Sequence, residues 1–167
     1  MVGNTEKIKG GPFMRTTQQI IFKIQDGEYG LDVSKVNGIE TLHNVVAVPN
    51  VASHILGIIN LRGQVLPIYS LRRKFGLEEV PVNEQTKIIV TTSSGITIAF
   101  KVDEVKEIIE CSEDKLSQFP VIARTEETAY VDVVANHNGR LILLLNQDNI
   151  LGKQEAEAIT ELVNELK

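Results

Sequence analysis

Three histidines, one cysteine and three pairs of neighbouring carboxylates are the side chains of this chain best suited to chemistry. His43, His54 and His137 show no metal-ligand spacing, and Cys111 is the single soft ligand on offer. One cysteine excludes an internal disulfide and a four-thiolate zinc site. Cys111 closes the apolar run "VKEIIEC" with no neighbouring cue for thiolate activation, so it reads as inert and partly buried. The pairs Glu78-Glu79, Glu113-Asp114 and Glu126-Glu127 fall in polar, loop-like segments, where carboxylates stay solvated and ionised. Ser93–Gly95, "SSG", reads as a hairpin tip, and no GxSxG, HExxH, P-loop or GxGxxG pattern occurs. An enzyme needs groups that converge, and these are scattered. The expectation is a protein without catalysis, metal or cofactor.

The run "RRK" at Arg72–Lys74 could grip a phosphate, but it lacks interleaved aromatics and reads as a solvated helix face. A net charge of −5, a sequence pI of about 5.3, 5% aromatic residues and no tryptophan argue against a nucleic-acid binder, which needs a basic, aromatic-lined groove. The longest purely apolar run, "LILLL" at Leu141–Leu145, falls far short of the roughly 18 residues that read as a membrane span. Residues 1–15 lack the apolar core of a secretory signal and read as a polar, mobile tail. A reducing cytoplasm fits this composition.

The elements that must position these groups are mostly strands. Ile20, Phe22 and Ile24 alternate with Ile21, Lys23 and Gln25, and Ile96, Ile98, Phe100 and Val102 alternate with Thr97, Ala99 and Lys101. Four glycine turns, at Asp26-Gly27, Arg62-Gly63, Ser94-Gly95 and Asn138-Gly139, each separate two strand-like runs, and their glycines are expected to adopt positive φ. Short strands between such turns predict small barrels. "SLRRKFG" predicts one or two helical turns capped by Ser70 and closed by Gly76. Beyond Gly152, Ile159, Leu162, Val163 and Leu166 form one stripe of an amphipathic helix over 152–167. The polar segment Leu77–Gln85 is the best lobe boundary.

In order along the chain, "FKIQDGEYGLDVSKV", "LGIINLRGQVLPIYSLRRKFG", "ITIAFKVDEVKEII" and "YVDVVANHNGRLILLLN" resemble the CheW-like family of bacterial chemotaxis coupling domains. "NLRG" followed by "PIxxLRxxFG" is the most specific part, and the likeness runs from about Thr16 to Leu151. The resemblance implies an all-β fold of two SH3-like five-stranded barrel lobes with short helices. The first lobe would cover about 26–80, and the second about 16–25 plus 81–151. It implies a non-enzymatic adaptor, monomeric when free, that couples methyl-accepting chemoreceptor tips to the regulatory domain of the histidine kinase CheA at cytoplasmic arrays. By position, the receptor groove would use Val36, Gly57, Arg62, Ile88 and Ile108, and the kinase face Leu42, Gly63, Gln64 and Val65. A CheV-like scaffold module is the alternative within the fold; a β-barrel that binds nucleic acid or a small ligand is the alternative outside it.

The chain departs from the family pattern at four positions. Gly38 stands where the family usually has an acid that pairs with the arginine matching Arg62, and Glu40, on the same strand face, is the expected substitute. Ser70 replaces an aspartate and can still cap the helix. Asp132 and Asn146 stand where glycine and aspartate are commoner.

Overall fold

The computed structural model describes residues 16–93, 95–118, 120 and 128–166. The tail expected over 1–15, the Glu126-Glu127 pair and Ser94 lie outside the described residues. The rest is built on two sheets. A five-stranded sheet runs β3-β6-β7-β5-β4, from β3 (Val36–Thr41), β4 (Ile55–Leu61), β5 (Gln64–Ser70), β6 (Lys87–Ser93) and β7 (Ile96–Val102). A six-stranded sheet runs β8-β1-β2-β11-β10-β9, from β1 (Thr16–Ile24), β2 (Gly27–Asp32), β8 (Glu104–Ser112), β9 (Leu116–Gln118), β10 (Val131–His137) and β11 (Arg140–Leu145). All pairings are antiparallel except β5 with β7 and β2 with β11.

This grouping corrects the lobe boundaries. Residues 27–32 lie with β1, because the turn between them has room for only two residues and makes a hairpin obligatory. Residues 87–102 lie with β3 and β5, so the polar stretch 77–86 is a loop within one lobe. The chain passes between sheets at the 3-10 turn Val33–Lys35 and at Asp103, where β7 gives way to β8. The first turn is also shifted by one residue: Gln25 carries the positive φ of 53°, and Gly27 does not. At Gly27 a Cβ would come within 2.8 Å of the Tyr29 hydroxyl, so close approach of that ring accounts for the glycine.

Three apolar clusters hold the sheets together. Leu42, Ile59, Leu66, Ile68, Ile88, Val90 and Ala99 fill the five-stranded sheet. Ile21, Ile109, Cys111, Ala135, Ile142 and Leu144 fill the other. The largest cluster joins the two, with Ile20, Phe22 and Leu31 from one sheet against Tyr69, Ile89 and Phe100 from the other. Alternation explains the division: consecutive residues such as Ile20 and Ile21 point to opposite faces and so enter different clusters.

The helices cover the seam. Ser70 caps α1 (Leu71–Lys74) by accepting from the Arg73 amide, and Gly76, at φ 80°, closes it. Asn146 caps α2 (Gln147–Ile150) by accepting from the Asp148 amide, a helix with no clear sequence signature. In α3 (Lys153–Glu165) Ile159 is 1% exposed and enters the inter-sheet cluster, a burial that contributes about 1.5–3 kcal/mol. Leu162 and Val163 pack beside it, whereas Leu166, expected on the same stripe, is exposed at the C-cap.

Candidate functional site

The β4–β5 turn consists of Arg62 and Gly63 alone, with φ of 52° and 85°. Two successive left-handed residues match the twist of a tight hairpin, and glycine at the second lowers their cost. The Asn60 side chain accepts the Gly63 amide at 2.9 Å and fixes the turn. At its tip the Arg62 Nη2 lies 3.1 and 3.0 Å from the two Glu40 carboxylate oxygens. Glu40 belongs to β3 and Arg62 follows β4, so the ion pair links the two edge strands of the curled five-stranded sheet. Gly38 leaves room for this: a Cβ there would sit 3.3 Å from Glu40 Oε2. Arg62 is 73% exposed, so the pair itself adds at most about 1 kcal/mol, and most of the guanidinium faces solvent. A shallow recess of about 190 Å³ lies beside it, lined by Asn37, Gly38, Glu40, Leu61, Arg62 and Gln64.

The other residues drawn from the family pattern separate into two groups. Ile108 is 56% exposed on edge strand β8, opposite Ile20 of the inter-sheet cluster, and Val36 packs half-buried against that same cluster. Gly63 and Gln64 are exposed and Val65 is half-buried. Ile88, at 0% exposure, and Leu42 belong instead to the core of the five-stranded sheet and line no groove. Gly57 is buried as well, beneath Val46, whose backbone exchanges two 2.9 Å hydrogen bonds with Ile58. A Cβ on Gly57 would meet the Val46 carbonyl oxygen at 2.3 Å, so this glycine permits a close backbone approach and presents no surface of its own.

The polar groups that sequence reasoning placed in solvent form ties instead. Arg72 grips Asp103 with two nitrogens at 2.8 and 2.7 Å and donates to the Glu78 carbonyl. Arg73 donates to the Ser53 carbonyl, and Glu79 accepts from the buried Lys101 at 2.7 Å and from the Ser70 hydroxyl. Glu155 gathers His54 Nδ1 at 2.6 Å, the Tyr69 hydroxyl at 3.0 Å, Lys74 Nζ at 3.5 Å and the Gly152 amide at 3.2 Å. This cluster pins the first turn of α3 to β5 and α1. Apart from Gly152, the N-cap three residues upstream, each partner is far along the chain, so no local spacing could have marked it.

The electrostatics suit a framework. Burial would raise Asp103, but the Arg72 bonds, the Gln25 amide and nearby cations outweigh it and hold the carboxyl below its ordinary range. Glu155 is likewise lowered against its burial, by the Gly152 amide, His54, Lys74 and Tyr69. The hydrogen bond from Arg140 lowers Glu28. Burial pushes Tyr29, Tyr69 and Cys111 upward. The carboxylates are thus held charged, and the buried phenols and thiol are held neutral. Among the described residues no three His, Cys, Asp or Glu side chains converge as metal ligands, and no helix is long and apolar enough to cross a membrane.

Two β lobes sharing one core, rigid internal ties and an exposed arginine at a hairpin tip define the class of the chain as an all-β, two-lobed domain. Residues 18–155 match the CheW-like domain, and the chain belongs to that family. It is 28% identical to the chemotaxis protein CheW of Bacillus subtilis over 92% of this chain and 96% of that one. It is 30% identical to CheW of Helicobacter pylori, covering 81% of this chain and 82% of the relative. A crystal structure of the scaffolding protein TtCheW from Thermoanaerobacter tengcongensis superposes with a TM-score of 0.76 at 24% identity, over 84% of this chain and 96% of that one, and shares the fold. The match to CheV3 of Helicobacter pylori, 22% identical, spans only 42% of that protein.

Proposed function

We propose that this chain is a non-enzymatic chemotaxis adaptor that couples methyl-accepting chemoreceptor tips to the histidine kinase CheA. The observation that carries the reading is the exposed Arg62 guanidinium, fixed by a two-residue turn and the Glu40 carboxylate, in a chain of the CheW-like family. Val36, Arg62 and Ile108 form the receptor-facing set: two aliphatics bordering the inter-lobe seam can take the apolar anchors of a helical hairpin, and the arginine can take a carboxylate. Gly63, Gln64 and Val65 form the kinase-facing set on the same hairpin. Gly57, Ile88 and Leu42 act from beneath, by holding the hairpin and sheet in shape. The adaptor works in the cytoplasm, is monomeric when free, needs no cofactor, and reaches the membrane only through its partners.

Titrating the full chain against a receptor-tip fragment and, separately, the regulatory domain of CheA from the same cell tests this. Binding to both, without mutual competition, is the expected result. Binding to neither by a chain that circular dichroism shows to be folded would overturn the adaptor reading.

A further inference from the structure

A groove on the far side of α3 is unused by the surfaces above. It lies between α3 and the connection that precedes β4, with a volume of about 270 Å³. Its floor is apolar, formed by Val48, Val51 and Ile55 on one wall and Ala158 and Leu162 on the other. Its rim is acidic, formed by Glu161 and Glu165. With Glu157 these glutamates stand at i, i+4 and i+8 on one exposed helix face, and none makes an ion pair among the described residues. Like charges at that spacing work against the helix, so the face gains its compensation only when cations arrive.

We infer that this groove docks a basic amphipathic segment of a partner protein, its apolar side chains on the Val51–Leu162 floor and its lysines or arginines against Glu157, Glu161 and Glu165. Two observations favour that occupant. At about 270 Å³ and open to solvent, the groove accepts one or two anchoring side chains and leaves the rest of the segment on the rim. The walls are also set in advance: Glu155 ties the start of α3 to His54, Tyr69 and Lys74, and Ile159 sits in the core, so docking need not order the helix.

The test is a nuclear magnetic resonance titration of the full chain with two synthetic helical peptides. Both carry leucines on one face; one has lysines and the other glutamates opposite. Shifts of Val51, Ala158 and Leu162 with the lysine peptide, and at least about tenfold weaker binding of the glutamate peptide, are expected. The double variant Glu161→Gln and Glu165→Gln, with α3 checked by circular dichroism, should weaken the lysine peptide several-fold and flatten its salt dependence. Shifts confined to the Ile108 seam, no binding, equal affinity for both peptides, an unaffected variant, or self-association that fills the groove would each overturn the proposal.

Discussion

Gly57→Ala offers the sharpest test of how the first lobe is held. At φ 157° the backbone suits glycine, and forcing an L side chain into such a region costs about 1–3 kcal/mol. The new methyl would also overlap the Val46 carbonyl oxygen at 2.3 Å and crowd Val45 Cγ1 at 2.9 Å, so Val46 must lift away. That movement breaks the two hydrogen bonds between Val46 and Ile58, each contributing about 0.5–1.5 kcal/mol. The sum is about 2–6 kcal/mol, a large part of the roughly 5–15 kcal/mol that holds a domain folded. Gly63→Ala is the internal control. It too has positive φ, at 85°, but nothing lies within 4 Å of its Cβ, so it carries only the strain, about 1–2 kcal/mol. Urea unfolding followed by circular dichroism should therefore give Gly57→Ala the lower midpoint, by about 0.5–2 M at an ordinary urea slope. Equal midpoints for the two variants would mean that the Val45–Val46 segment yields freely, and the account of Gly57 as a close-approach position would be wrong.

Arg62→Ala should leave the urea midpoint nearly unchanged, since the exposed pair with Glu40 adds little, yet weaken receptor or kinase binding by about 2–5 kcal/mol if a partner carboxylate is left unpaired. A wild-type affinity in calorimetry rejects the direct role. Ile108→Ser should behave alike for the receptor fragment alone, with stability held within about 0.5 kcal/mol. Ile88→Ala should do the opposite: a core cavity costing about 2–5 kcal/mol, with binding per folded molecule unchanged. The carboxyls of Asp103 and Glu155 are lowered in the folded state, so their stabilisation is complete above the unfolded values near 4 and fades as pH falls through the folded ones. Thermal melts should accordingly lose stability below about pH 4, with a shallower decline in Glu155→Gln. An unchanged slope would separate that cluster from the acid transition.

The strands were legible because alternation and glycine turns are local signals: Ile96–Val102 and the Arg62-Gly63 turn stand where periodicity places them. The lobes were not, because the parallel pairings of β5 with β7 and of β2 with β11 join segments with no local cue to one another. The same limit governed the site. Ile108 and Ile109 are neighbours of identical type, and only the sheet decides that one is buried while the other faces solvent.

The stretch 60–76 shows the physical consequence. Its side chains reach Glu40, Glu79, Asp103, the Ser53 carbonyl and Glu155, so this one segment fastens the β3 edge, the 77–86 loop, the inter-sheet joint and α3. Loss of Ser70, Arg72 or Lys74 must then disturb partner binding indirectly, through the frame. Arg62 combines a guanidinium 73% exposed with an internal tie that adds little, which is why its substitution separates contact from scaffold.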